Sequence, residues 1–265
     1  MTNIRAIFLD FDWTLFDHKT RSFNEKGIYG LNKVHDKGIK LIINSARSYY
    51  ALKNLRTFEL IPLDGFIVSN GGAAMIDGKC LYANFFNNKI KNEFINLLNE
   101  NNYSYNLVGQ FDTYIKNTNE DLIKSFYEVF YEPYPKDIST YKNENILAIQ
   151  VFCKEDNESL IKAFCQKYNL LFNRFAENNV EITSKEFLKS EGVKAIYDYL
   201  RLSKEEAMAF GDDVNDIPMF NSVKYSVCLG NGKEEAKKHA FYVTDTIEND
   251  GLYKALKHFE LVDWQ

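Results

Sequence analysis

The feature that most restricts how this chain can fold is a set of short, unbroken apolar runs separated by helical patterns. Ala6-Ile7-Phe8-Leu9, Leu41-Ile42-Ile43, Phe66-Ile67-Val68 and Ala207-Met208-Ala209-Phe210 show no alternation of apolar and polar residues. A strand with one wet face alternates, whereas a strand covered on both faces does not. Between the runs, apolar residues recur at helical spacing: Ile28, Leu31 and Val34 after Asn24, then Val193, Ile196, Tyr197 and Leu200. Buried strands alternating with helices predict βαβ units, a parallel sheet and an α/β fold.

This texture covers residues 1–83 and returns over 184–265, with strand candidates at Tyr225–Leu229 and Phe241–Val243 and a last helix over Gly251–Phe259. The intervening segment, 84–183, is richer in Asn, Lys and Tyr, and its apolar runs are more interrupted. Its pattern predicts helices near 87–100, 119–131 and 157–168 and strands near 104–109, 147–153 and 179–183. We therefore expect a separate α+β domain inserted into one loop of the α/β domain, a site where chain ends lie close together.

Bulk properties exclude some classes. Thirty-two Lys+Arg against 37 Asp+Glu give a net charge of -5, so the chain has no overall basic field for nucleic acid or anionic membranes. No stretch approaches the ~18 consecutive apolar residues of a membrane span, and Met1–Leu9 lacks the long apolar core of a signal peptide. Cys80, Cys153, Cys165 and Cys228 form no CxxC pair. They read as buried thiols of a reducing cytoplasm, not as a disulfide frame or a zinc site.

Two acidic strings stand where buried strands end. Asp10-Phe11-Asp12-Trp13-Thr14 follows Ala6–Leu9, and open α/β sheets place ligands beyond the carboxyl ends of their strands. Two carboxylates there can divide the work, one holding a metal and attacking phosphorus, the other handling a proton. The same string also fits a turn with two solvated acids, or the metal site of an unrelated transferase. Gly211-Asp212-Asp213-Val214-Asn215-Asp216 follows Ala207–Phe210. Its carboxylates repel one another without a cation, and hard oxygen ligands suit Mg²⁺; an acidic turn capping the next helix is the plainer reading. Ile43-Asn44-Ser45-Ala46-Arg47 offers a hydroxyl and open backbone N–H groups for phosphate, or simply an N-cap. Lys189, just before a helix, would alone pass for a solvated surface lysine. Gly72–Lys79 only superficially resembles a phosphate-binding loop, because five residues separate Gly72 from Gly78 and Cys80 follows the lysine.

Taken in chain order, Asp10–Thr14, Ser45, Lys189 and Asp212–Asp216 resemble the four motifs of the haloacid dehalogenase (HAD) superfamily. Within it, the resemblance is to the Cof-like sugar-phosphatase branch with a large inserted cap (type IIB). Ser69-Asn70-Gly71-Gly72-Ala73, Leu229-Gly230-Asn231-Gly232 and Asn249-Asp250-Gly251 are further family-like strings. The resemblance implies a Rossmann-like core over 1–83 and 184–265, with an α+β cap over 84–183. It implies a Mg²⁺-dependent phosphatase acting on small phosphorylated metabolites, such as sugar phosphates, through an aspartyl-phosphate. Asp10 would be the nucleophile and Asp12 the acid and base. Mg²⁺ would rest on the Asp10 carboxylate, the Asp12 carbonyl and Asp212, supported by Asp216. Phosphate would meet the Phe11 and Ala46 N–H groups, Ser45, Lys189 and Asn215, with Arg47 and Thr14 in support.

Three positions depart from the family pattern. Trp13 stands where glycine is usual and would narrow the site mouth; Ser45 replaces threonine but keeps the hydroxyl; Asp213 adds negative charge where glycine is common. A phosphomutase on the same scaffold, or a non-catalytic phosphate-ligand binder, are the alternatives. The Tyr-rich Tyr131–Pro135 stretch is either a substrate-stacking loop or a plain surface connection. The expected partner is a small phosphorylated substrate, with no nucleic acid and no membrane, and the expected location is the cytoplasm.

Overall fold

The computed structural model describes residues 3–263. Each unbroken apolar run is a strand of one eight-stranded sheet. In spatial order the strands are Tyr242–Val243, Tyr225–Cys228, Ala207–Gly211, Ala6–Leu9, Lys40–Asn44, Gly65–Val68, Ala73–Ile76 and Lys79–Ala83. The pairings from Tyr242–Val243 through Gly65–Val68 are parallel, and Ala73–Ile76 is antiparallel to Gly65–Val68. From Ala6–Leu9 the chain moves outward on one side to Lys40–Asn44, and later on the other side to Ala207–Gly211. The order therefore reverses at Ala6–Leu9, and such a switch point is where ligands bind beyond the strand ends.

Helices cover both faces, which explains why the runs do not alternate. Phe8, Ile42, Ile67 and Ala209 pack with Val193 and Ile196 of the helix Lys189–Leu200. The helix Glu25–Asp36 begins where expected because the Asn24 side chain accepts the Gly27 N–H at 2.7 Å, and it buries Leu31 and Val34. No helix among the described residues is long and apolar enough to cross a membrane.

The described chain divides into two compact units. One comprises residues up to Arg47, Arg56–Tyr82 and residues from Phe187 onward; the other comprises Ser48–Leu55 and Ala83–Glu186. The second contains a six-stranded sheet in the order Lys136–Asp137, Thr113–Lys116, Ser104–Gly109, Ile146–Phe152, Asn179–Thr183, Leu171–Ala176. One face packs Tyr105, Leu107, Ile149, Val151, Val180 and Ile182 against Phe94, Leu98, Ile161 and Phe164 of the helices Asn88–Glu100 and Ser159–Tyr168. Opposite register partners Asn106, Gln150 and Glu181 join into a polar row, extended by Tyr127. Tyr131–Pro135 links the helix Glu120–Phe130 to the strand Lys136–Asp137.

One expectation needs correction. Cys153, Cys165 and Cys228 are buried, but Cys80 is exposed. It lies on Lys79–Ala83, an edge strand of the core sheet, with no strand beyond it among the described residues.

Candidate active site

The register of the two central strands brings the acidic strings together. Leu9 pairs with Phe210, and the Asp10 N–H donates to the Phe210 carbonyl at 2.9 Å, so Asp10 and Asp212 leave adjacent strands side by side. Gly211 sits between strand and loop for a steric reason: a β-carbon there would lie 2.5 Å from the Asp216 carboxyl. Asp216 folds back over this gap and accepts the Asp212 and Asp213 N–H groups at 2.9 and 3.0 Å. Candidate ligand oxygens of Asp10, Asp212 and Asp216 lie within 4.8 Å of one another, and all three residues are buried.

Lys189 opens its helix inside this cluster. Its fully buried ammonium donates to Asp10 and, at 2.6 Å, to Asp216. Burial opposes its charge, but Asp10 and Asp216 outweigh burial and hold the lysine protonated. One ammonium cannot balance three carboxylates. Burial, then the Asp216 charge, pushes the Asp10 carboxyl well above its ordinary value despite Lys189. Burial, with Asp216 and Asp213 nearby, pushes Asp212 up to about 7, although Thr14 donates to it at 3.3 Å. Three buried carboxylates gathered around one ammonium are a donor set that fits a hard divalent cation, since such ions require oxygen ligands.

Asp12 stands apart from that cluster. Its carboxylate accepts Arg47 Nε at 3.0 Å and Nη2 at 2.8 Å, and it meets His18 Nε2 at 2.7 Å. Burial works to raise its pKa, but His18 and Arg47 prevail and hold it below the usual carboxylate range. Among the expected metal residues, then, the Asp12 side chain is engaged elsewhere, while Asp216 shares the cluster with Asp10 and Asp212.

The remaining expected residues fall on neighbouring loops. Ser45 is buried after Lys40–Asn44; its hydroxyl accepts the Arg47 N–H at 3.1 Å, and Asn70 N–H donates to its carbonyl at 3.0 Å. Ala46 is exposed beside it, and Phe11 is buried. Asn215 is exposed, with its side-chain Nδ2 3.5 Å from the Asn70 side-chain Oδ1. Asn70 is carried by a turn in which Gly71 has φ +101° and a β-carbon would lie 2.2 Å from the Leu188 carbonyl. Asp213 pairs with Lys233 at 2.7 Å, so its extra charge is partly answered. Trp13 adopts φ +59°. His18 was not singled out from the sequence, because a lone histidine eight residues past the nucleophile candidate carries no motif; only the turn that returns it to Asp12 gives it meaning.

Comparisons with known proteins place the chain in a family. Residues 7–256 match the model of the haloacid dehalogenase-like hydrolase family. Phosphatase YwpJ of Bacillus subtilis is 24% identical, over 96% of this chain and 99% of the relative. Among solved structures, BT1666 from Bacteroides thetaiotaomicron, described among phosphatases of the HAD superfamily, is 26% identical with a TM-score of 0.77, covering 98% of this chain and 96% of that one. BT4131, described as a HAD subclass IIB sugar phosphatase, is 26% identical with a TM-score of 0.75, covering 97% and 100%.

Proposed function

This chain belongs to the haloacid dehalogenase-like hydrolase family and is a phosphatase, and from that premise we propose that it hydrolyses monoesters of small phosphorylated metabolites through an aspartyl-phosphate on Asp10. The observation that carries this reading is the buried Asp10–Asp212–Asp216 cluster held by Lys189 at the switch point of the sheet. Sugar phosphates are the favoured substrate class, supported by the likeness to BT4131.

Asp10, Asp212 and the Asp12 carbonyl would hold Mg²⁺, with Asp216 fixing the Asp212 loop. The ion would supply positive charge to the phosphate oxygens. Lys189 adds a permanent charge from the protein, and together they favour the ionised Asp10 that must attack. The Asp10 oxygen forms a bond to phosphorus as the ester bond breaks, and the departing alkoxide takes its proton from Asp12, which must enter this step protonated against the pull of Arg47 and His18 toward the carboxylate. Asp12, now a carboxylate, takes a proton from water as that water attacks phosphorus, which releases phosphate and restores Asp10. The pairing of Asp12 with Arg47 and His18 favours the carboxylate, the form the second half-reaction requires. Ser45, the Phe11 and Ala46 N–H groups and Asn215 would orient the phosphate, with Thr14 and Arg47 steadying Asp212 and Asp12.

Asp10→Asn tests the assignment. An amide cannot attack phosphorus, so turnover should fall at least about 100-fold, or roughly 3 kcal/mol of transition-state stabilisation, while the circular dichroism spectrum stays unchanged. Residual activity well above about 1% would remove Asp10 from the nucleophile role.

A further inference from the structure

Beyond its pairing with the Asp12 carboxylate, His18 is packed against Trp13, a residue with no part in the reaction as described. Trp13 is a large residue at φ +59°, a conformation glycine adopts freely and residues with a β-carbon rarely do. Two contacts hold it there: its N–H donates to the Phe16 carbonyl at 2.8 Å, and its carbonyl accepts the Asn231 side-chain amide at 2.9 Å. Asn231 is itself tied, accepting the Ile247 N–H at 2.8 Å. The consequence of this backbone is a ring placed over His18, with centroids 5.1 Å apart, while Phe16 meets the imidazole edge-on at 5.3 Å. Between these two aromatics the imidazole is turned so that Nε2 lies 2.7 Å from Asp12 Oδ1.

We propose that His18 is a positioning residue for Asp12 and that Trp13 positions His18. The proposal rests on the reading of Asp12 as the acid and base. The Asp12 side chain is 32% exposed, and a carboxylate so open has several rotamers available. Arg47 grips it from the loop after Lys40–Asn44, and His18 meets the same oxygen from the local turn six residues beyond Asp12. Arg47 by itself reaches both carboxylate oxygens, its Nε lying 3.1 Å from Oδ2, and His18 adds a further contact to Oδ1 from a separate loop that completes the fixing of the carboxylate. Proton transfer demands such placement, because the donor must lie within hydrogen-bond reach of the departing oxygen. Attack by Asp10 on phosphorus has no such demand on Asp12. The glycine usual at position 13 would relax the backbone but leave His18 without its packing surface.

The test compares two esters by kcat/KM, which reports steps only through transfer to Asp10 and departure of the alcohol. p-Nitrophenyl phosphate has a leaving group that departs without a proton; glycerol 1-phosphate has one that needs it. His18→Ala should lower kcat/KM for glycerol phosphate about 10-fold and for p-nitrophenyl phosphate less than about twofold, with His18→Gln recovering part of the loss through its amide donor. Trp13→Gly should reproduce the selective loss while thermal unfolding stays at or above the wild-type temperature. Asp12→Ala serves as reference and should show the same selectivity more strongly. If Asp12→Ala is selective and His18→Ala harms both esters equally, or neither, His18 is only a structural contact and the proposal is overturned. If Asp12→Ala itself shows no selectivity, the acid–base reading of Asp12 fails, and the positioning role fails with it.

Discussion

The charge imbalance at the site predicts an unusual dependence of stability on pH. In the metal-free protein, burial and neighbouring carboxylates raise Asp212 from its ordinary 3.8 to about 7. A carboxyl raised in the folded state binds its proton more tightly folded than unfolded. Its stabilising contribution is complete below about pH 4 and is lost as pH climbs through about 7. At 1.36 kcal/mol per pH unit, that interval corresponds to at most about 4 kcal/mol. For a chain of this size each kcal/mol moves the melting temperature by roughly 2–4 °C, so the ceiling for Asp212 alone is about 8–16 °C, and the raised Asp10 adds to the same slope. Carboxyls with lowered values, such as Asp12 and Asp250, add no slope here, because they have already ionised in both states above about pH 5. The assay is thermal unfolding by circular dichroism from pH 5.5 to 8.5 in EDTA, and again in excess Mg²⁺. In EDTA the melting temperature should fall as pH rises. Mg²⁺ should raise it most at pH 8, where no proton competes for the carboxylates. Asp212→Asn should flatten the EDTA curve and abolish most of the Mg²⁺ effect. A flat wild-type curve in EDTA, or an equal slope in Asp212→Asn, would show that these carboxyls are not mutually raised and would refute the argument.

Two further outcomes follow from the same cluster. Lys189→Met removes the buried ammonium between Asp10 and Asp216 and should cost about 3–5 kcal/mol in urea unfolding at pH 8 in EDTA, with part recovered at pH 6, where protonated carboxyls need no counter-charge; unchanged stability would show that the lysine compensates nothing. EDTA should abolish phosphate release and Mg²⁺ restore it, while Ca²⁺ should not, because its larger and looser coordination lets both Asp10 oxygens bind and ties up the nucleophile; full activity with Ca²⁺ alone would contradict that geometry.

Much of the core was legible because the signals are local. An unbroken apolar run must be covered on both faces wherever it lies, so Ala6–Leu9 and Ala207–Gly211 could be read without knowing their neighbours. Both acidic strings lie immediately after these strands, which marks them as ligand-site candidates before any contact is known. The helices Asn88–Glu100, Glu120–Phe130 and Ser159–Tyr168 were visible for a similar reason, since helical periodicity needs no partner. The strands Thr113–Lys116 and Leu171–Ala176 escaped notice because they are mixed in polarity, and pairing rather than pattern makes them strands.

The sequence alone determined the alternation of buried strands and helices, and it placed carboxylates, a serine and a lysine at strand or helix ends. It could not determine which ends would be neighbours. The Leu9–Phe210 register sets Asp10 against Asp212, and the return of Asp216 across Gly211 turns an acidic string into a buried charge cluster. Lys189, unremarkable as a lone lysine, becomes the cluster's counter-charge only because its helix starts inside it. His18 meets Asp12 across a turn in which Trp13 has a positive φ, a contact that no local pattern announces. Covalent order fixes which groups are available. Electrostatic consequences depend on separations of a few ångströms between residues some two hundred positions apart, and only the folded chain sets those.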